Sequence, residues 1–212
     1  MSLYRDYIYP YLVDTLGNPP PIRAIRQQII PLAQGDVLEI GVGSGANFLY
    51  YDSTKVSKLY ALEPNPGMIT RAKKQEQRAK LNIEYIGLPG ERIPLDDNRI
   101  DTVVSTFTLC TIFGIEKAMK EIARVLQPTG RLIFFELGLA PDPGIQLWQR
   151  RLEPICHQLF QGLYLTRDIP LLIKQGGFQI IEMKADYLAQ FPKSLSYCWW
   201  GTASVELISF AL

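Results

Sequence analysis

Short apolar runs ending at glycine, proline or a polar turn alternate along this chain with stretches whose apolar residues recur every three or four positions. The runs VLEIG (37–41), KLYALEP (58–64), NIEYIG (82–87), IDTVVST (100–106) and RLIFFEL (131–137) read as buried parallel strands. Helical spacing marks residues 22–33, PGMITRAKKQEQRAK (66–80, opened by Pro66) and IEKAMKEIARVLQP (115–128). The last of these sets Ile115, Met119, Ile122 and Leu126 on one face before Pro128 stops it. Further helices are predicted over 144–160 and 167–175, the latter ended by Gly176 and Gly177. Two closing strands follow, FQIIEMKAD (178–186) and one within 196–210. Strands separated by helices make parallel βαβ units, so the pattern predicts an α/β fold. Its sheet is doubly wound and mostly parallel, of about seven strands, with an antiparallel edge pair and helices on both faces.

At 212 residues the chain reads as a single domain over 1–212. The prolines Pro19, Pro20 and Pro21 read as a linker that sets off an N-terminal arm, residues 1–20. In that arm Leu3, Tyr4, Tyr7, Ile8, Tyr11, Leu12 and Leu16 lie near helical spacing, interrupted by Pro10, as a lid or a strap would place them. With 22 basic and 21 acidic residues the charge is balanced, which gives no general attraction to nucleic acid or anionic membrane. The basic run Arg71, Lys73, Lys74, Arg78 and Lys80 is read as a solvated helix face. Cys110, Cys156 and Cys198 are too dispersed for a disulfide framework or a metal knuckle, and His157 is the single histidine, so no metal is expected. No window reads as a transmembrane segment, and Arg5 and Asp6 break up any signal-peptide pattern. A cytoplasmic setting is the expectation, and the oligomeric state is left open.

Ligands of doubly wound sheets bind beyond the carboxyl ends of the strands, where the strand order reverses. The sequence due to stand there is VLEIGVGSGANF (37–48), in which Gly41, Gly43 and Gly45 allow a sharp turn and a close backbone approach. A helix after this loop would aim its amides at the ligand. The glycines fit GxGxG and equally a dinucleotide GxGxxA ending at Ala46. Glu39, two residues before Gly41, opposes a pyrophosphate and suits an ammonium group. Glu63, ending the second strand 18 residues after Gly45, suits the two hydroxyls of a ribose. Ammonium and ribose together describe S-adenosylmethionine.

Two longer blocks extend the pattern: GERIPLDDNRIDTVVSTFTLCTI (90–112) and IARVLQPTGRLIFFE (122–136). With the glycine loop they resemble the class I S-adenosylmethionine-dependent methyltransferases, whose Rossmann-like fold agrees with the pattern above. GANFLYY (45–51), STFTLCTI (105–112) and LEPICHQLFQGLYLTRD (152–168) resemble the branch that includes the methyltransferase-like thiol methyltransferases. That branch carries an N-terminal membrane anchor and usually has Glu-His where this chain has Glu136-Leu137. The turn reads Pro128-Thr129-Gly130 rather than Pro-Gly-Gly, and Pro89 replaces an acid that often contacts the adenine amino group.

The resemblance implies S-adenosylmethionine as donor and S-adenosylhomocysteine as product. Glu39, Gly41 and Gly43 would hold the methionine end, Gly45 would let the next helix approach, and Glu63 would take the ribose. Asn65, Met68, Gly90 and Glu91 would border the adenine, with Thr106 and Phe107 near the sulfonium. His157 is the candidate base or substrate-orienting group, and Glu136 would orient substrate or pair with a basic neighbour such as Arg167. The arm and residues 138–168 would form the acceptor side through Tyr4, Tyr7, Tyr9, Tyr11, Trp148, Leu152, Phe160, Leu163 and Tyr164. These side chains suit a small hydrophobic substrate: a thiol first, then a quinone-like or lipid-like acceptor. A non-catalytic methyltransferase-like binding module and an NAD(P)-dependent oxidoreductase are the alternatives.

Overall fold

The computed structural model describes residues 17–206 together with Tyr11 and Val13. The expected arm residues Leu3, Tyr4, Tyr7, Tyr9 and Leu16 therefore lie outside the described residues. Helix α1 (Pro20–Ile29) leads through a 3₁₀ turn into β1 (Gly35–Ile40), followed by β2 (Val56–Leu62), α2 (Pro66–Glu76), β3 (Ile83–Ile86) and β4 (Ile100–Thr106). Then come α3 (Ile115–Val125), β5 (Leu126–Leu137), α4 (Pro143–Leu159), α5 (Ile169–Gln175), β6 (Phe178–Tyr187) and β7 (Tyr197–Val205).

Three boundaries depart from the pattern reading, each for a local reason. The proline cluster is the start of α1 instead of a linker: Pro19 is its N-cap and Pro20 opens it. The first helical positions need no N–H donor and accept proline's fixed φ. Helix α3 ends at Val125, three residues short of Pro128. Proline drives the preceding residue out of the α region, and Leu126 is already paired with Ile100 of β4. The helix expected directly after the glycine loop does not form. Residues 46–55 run through turns and a single 3₁₀ turn, Phe48–Tyr50. There Asp52 Oδ1 accepts from the Thr54 N–H at 3.0 Å and the Thr54 hydroxyl at 2.6 Å, local bonds that compete with a helical ladder.

The seven strands form one sheet in the order β3-β2-β1-β4-β5-β7-β6. Strands β1 to β5 are parallel, while β7 runs antiparallel to both β5 and β6. Successive residues face opposite sides. Val37, Leu59, Val104, Ile133 and Phe135 pack with Ile22, Ile25 and Ile29 of α1. Leu38, Tyr60, Val103, Leu132 and Phe134 pack with Met119 and Ile122 of α3 and with Ile169 and Ile173 of α5. Both faces are covered, which is why these strands read as nearly continuous apolar runs. Among the described residues no helix is long and apolar enough to cross a membrane.

β1 pairs with β2 on one side and β4 on the other, so the chain order reverses there and a crevice opens at the strands' carboxyl ends. One wall of that crevice, the β3–β4 connection, is held by Arg124 on α3. Its guanidinium donates to the carbonyls of Ile93 and Leu95 (both 2.8 Å), to Asp97 (2.6 Å) and to Glu121 (2.7 Å). Glu121 in turn accepts the Ile93 N–H at 3.0 Å. Arg124→Met removes every one of these donors. Hydrogen bonds to charged groups contribute about 1.5–3 kcal/mol, and a loss of that size is expected as a lower urea midpoint at unchanged slope.

Candidate active site

A cavity of about 780 Å³ occupies the crevice, within the range of roughly 300–1,000 Å³ usual for small-molecule sites. Every predicted cofactor residue lines it: Glu39, Gly41, Gly43, Gly45, Glu63, Asn65, Met68, Gly90, Glu91, Thr106 and Phe107. Gly41 has φ +65°, and a Cβ there would lie 2.3 Å from Thr108 Oγ1, so the turn out of β1 admits only glycine. At Gly45 (φ +79°) a Cβ would meet the Phe48 ring at 2.7 Å and Ala72 of α2 at 3.2 Å. That glycine admits Phe48 and α2 to the loop, rather than a following helix.

Two carboxylates stand at this end of the sheet. Glu63 accepts the Gly43 N–H on Oε2 and the Asn65 N–H on Oε1, both at 2.9 Å, which fixes its orientation beside the glycine loop. Glu39 is 1% exposed. Its Oε1 accepts from Asn47 Nδ2 at 2.8 Å and its Oε2 from the Tyr51 hydroxyl at 2.7 Å. Burial pushes the Glu39 carboxyl up to about 7, against the downward pull of those two bonds. Asn47 also donates to Thr106 Oγ1 at 2.9 Å, while its Oδ1 is buried without a partner among the described residues. Asn65 caps α2, its Oδ1 accepting the N–H groups of Gly67 and Met68. Glu91 accepts the Gly114 N–H at 3.1 Å and thereby ties the β3–β4 connection to the start of α3.

The loop leaving β4 carries Phe107 at φ +54°, a left-handed conformation that costs a non-glycine residue about 1–2 kcal/mol. Its N–H donates to the Phe135 carbonyl at 2.8 Å, and its ring lies 4.6 Å from that of Phe135. Glu136, fully buried on β5, holds the rest of the loop. It accepts from Ser105 Oγ (2.6 Å) and from the N–H groups of Thr108 (3.2 Å) and Cys110 (3.1 Å). Arg167 donates to the carbonyls of Leu109 and Ile112 in the same loop. The expected pairing of Glu136 with Arg167 at the cavity mouth is thus replaced by two opposite charges gripping one loop, and Glu136 does not line the cavity.

His157 does not line it either. Its ring packs edge-on against Tyr164 at 4.8 Å, and Tyr164 lies under the Arg167 guanidinium at 4.1 Å. On the acceptor side Phe160 and Leu163 line the cavity, whereas Leu152 and Tyr164 do not and Trp148 is 54% exposed beside Arg151. The sequence reading missed Leu188, Phe191 and Leu195 from the β6–β7 connection, Ile22 and Arg26 from α1, and the Asn47–Tyr51 clamp on Glu39. LAQFPKSL (188–195) did carry a signal, since an ordinary solvated turn has little use for Leu188, Phe191 and Leu195.

A methyltransferase-domain profile matches residues 38–134. Thiol S-methyltransferase TMT1B of Homo sapiens is 31% identical over 198 residues, 86% of this chain and 79% of that protein. The chain belongs to the class I S-adenosylmethionine-dependent methyltransferases. Thiol S-methyltransferase TMT1B of Rattus norvegicus is 33% identical over 154 residues, and there the match spans 70% of this chain and 62% of the relative's length. A solved methyltransferase from Aquifex aeolicus shares the fold, with a TM-score of 0.63 at 20% identity over 92% of this chain and 98% of that one. In this member of the family Glu136→Ala would leave the Ser105 hydroxyl and two buried N–H groups without an acceptor. A loss of about 3 kcal/mol or more is expected in thermal or urea unfolding, at 1–3 kcal/mol per unsatisfied group.

Proposed function

We propose that this protein transfers the methyl group of S-adenosylmethionine to the sulfur of a small hydrophobic thiol. One observation carries the choice of acceptor. The lining contributed by α4, the segment after it and the β6–β7 connection is Cys156, Phe160, Gln161, Leu163, Leu165, Leu188, Phe191, Pro192 and Leu195. Among these described residues there is no carboxylate, imidazole or amine to serve as general base. An acceptor seated there must ionise largely unaided, as a thiol with a pKa of about 8.5 does and an alcohol does not. The thiol S-methyltransferase relatives support the same reading.

The residues present fit the donor. The turn at Gly41 leaves a cradle that any Cβ would fill, and the unpartnered Asn47 Oδ1 beside Glu39 calls for a hydrogen-bond donor such as an ammonium. Glu39 with Asn47 would hold the ammonium and Glu63 the ribose hydroxyls, while Asn65, Met68, Gly90 and Glu91 would border the adenine. Thr106 and Phe107 would flank the reacting end, where the π face of Phe107 can stabilise a cation by about 0.5–2 kcal/mol. When bound, S-adenosylmethionine supplies an activated methyl group with a neutral thioether as leaving group. The protein's part is alignment and exclusion of water. Held nucleophiles reach effective molarities of roughly 10⁵ M and above, and the apolar wall strips water from the attacking sulfur. Glu136 acts here as a positioning residue that fixes the Thr106–Ile112 loop.

The test pairs calorimetric titration with S-adenosylhomocysteine and transfer assays on matched hydrophobic thiols and phenols. The expectation is binding that falls about 10- to 150-fold in Glu63→Ala, the equivalent of 1.5–3 kcal/mol for a charged acceptor. Thiol methylation should rise with pH through the acceptor's own pKa. Methylation of phenols in preference to thiols would move the reading to a quinone-like acceptor. Binding without transfer to either would favour a non-catalytic module, and binding of NAD(P)H alone would overturn the proposal.

The pH dependence of donor binding follows from Glu39. The ammonium binds the ionised carboxylate, and the free carboxyl sits at about 7. As pH falls below that value the proton competes, so affinity for S-adenosylhomocysteine should drop by up to about tenfold per pH unit. Glu39→Gln should bind more weakly and flatten the profile between pH 5.5 and about 8, as read by titration calorimetry.

A further inference from the structure

Gln161 carries the one side-chain amide in the wall that α4, the segment after it and the β6–β7 connection give to the cavity. Its neighbours in that wall, Phe160, Leu163, Leu188, Phe191 and Leu195, are apolar. Gln161 is exposed whereas Leu165 of the same wall is fully buried, so the glutamine stands at the rim and the leucine inside. Its backbone is left-handed, at φ +51°. It directly follows Phe160, the C-cap of α4, and the Gly162 N–H returns to the His157 carbonyl at 2.8 Å, five residues back. That bond closes a Schellman-type helix end, in which glycine usually fills the place that Gln161 takes here.

A side chain in this conformation carries a cost that glycine avoids. The turn has no room to relax, because a Cβ on Gly162 (φ +112°) would meet the Thr111 carbonyl oxygen at 2.8 Å, and the Tyr164 N–H is bonded to the Cys110 carbonyl at 2.9 Å. Nor does the glutamine amide offset the cost within the fold, for it makes no hydrogen bond among the described residues. Strain held at a residue that lines a cavity points to a ligand. Apolar pockets orient what they bind through a few placed polar groups. A primary amide both donates and accepts, so it pairs with a carbonyl, a hydroxyl or another amide. The wall around it holds no ionised side chain, and a charged substituent would lose its water there without a partner.

We propose that Gln161 sets acceptor specificity, by binding at the rim a neutral hydrogen-bonding group that the acceptor carries away from its sulfur. The acceptor is then an amphiphilic thiol: an apolar body against Phe160, Leu163 and Leu188, with a carbonyl, amide or hydroxyl at the end that stays near solvent. This assignment rests on reading the cavity as a thiol methyltransferase site. It gives the strained end of α4 a task in substrate selection.

The test measures methyl transfer to hexanethiol and to its analogue whose chain ends in a carboxamide, on wild type, Gln161→Leu, Gln161→Gly and Gln161→Asn. The readout is the ratio of kcat/KM for the carboxamide to that for hexanethiol, because the change in this ratio between proteins cancels the amide's own hydration. The ratio should fall about 3- to 10-fold in Gln161→Leu and in Gln161→Gly, the range of a neutral hydrogen bond. Gln161→Asn, which keeps an amide on a residue that tolerates the left-handed region, should retain part of it. Calorimetric affinity for S-adenosylhomocysteine should stay within about twofold of wild type in all three variants. Gln161→Gly should melt no lower than wild type, since it relieves the backbone. A ratio unchanged in the leucine and glycine variants would overturn the assignment. So would a glycine variant that melts early or loses S-adenosylhomocysteine, which would make the glutamine a structural residue. If wild type binds S-adenosylhomocysteine and methylates neither thiol, the thiol reading falls and this assignment falls with it. If the leucine variant does not fold, the glycine variant supplies the comparison, because each ratio is measured within one protein.

Discussion

A carboxylate removed from water must find its hydrogen bonds within the protein, and the carboxyl edge of this sheet is organised around three that do. Glu39 on β1, Glu63 just past β2 and Glu136 on β5 are all under 10% exposed. Each accepts from a loop that leaves the sheet: Glu39 from Asn47 and Tyr51, Glu63 from Gly43 and Asn65, Glu136 from Thr108 and Cys110 and also from Ser105 near the end of β4. The loops would otherwise carry unpaired polar backbone beside a cavity. The acids would otherwise be driven to neutrality by desolvation. Each solves the other's problem, and the walls of the cavity are rigid as a result. Phe107 shows how rigid. Its left-handed backbone persists because Ser105, two residues before it, and Thr108, directly after it, are tied to Glu136.

The same edge concentrates unbalanced charge. Glu39 lies close enough to Arg26 and Glu63 to feel both, and its carboxyl is nevertheless raised to about 7 because burial outweighs the favourable contacts. Arg26 is depressed for the same reason. Two opposite charges are held near each other, yet each is clamped by its own neighbours and the two do not close into an ion pair. The lining from α4, the segment after it and the β6–β7 connection differs in kind, being apolar apart from Gln161 and Cys156, so the cavity runs from a charged region to a greasy one. That gradient suits a reaction whose donor carries the charge and whose acceptor brings its own nucleophile.

The candidate site was legible in the sequence wherever function and backbone geometry coincide. Gly41, Glu39 and Glu63 sit at strand ends, where a glycine or an acid breaking an apolar run stands out, and all three line the cavity. Glu136 looked like a member of the same class and is not. It too is an acid closing an apolar strand, but its carboxylate turns to Ser105 and to the Thr108 and Cys110 amides. His157 was singled out as the single histidine, lying in the segment 152–168 that carries the family resemblance, and its ring faces Tyr164. Arg26 was passed over because an arginine in an amphipathic helix ordinarily lies on the solvent side. This one is buried because it turns to Gly17 and Asn18 on the side of α1 that lines the cavity.

The alternation of apolar runs with helical periods determined the seven strands, their largely parallel pairing and the doubly wound layering, because period and burial on two faces are local properties of the chain. It also pointed to the edge at which the cavity lies, since glycines and acids at strand ends are read in sequence order. What only the tertiary structure decided is which side chains meet across that edge: Glu136 with a loop 26 to 31 residues away, Glu63 with Gly43, and Leu188, Phe191 and Leu195 with Phe160 and Leu163. Those meetings depend on strand order and on where each loop returns, and a one-dimensional pattern holds neither. The missing helix after Gly45 has the same origin, for the residues 46–55 are shaped by the buried carboxylate they must satisfy and by the turn at Asp52.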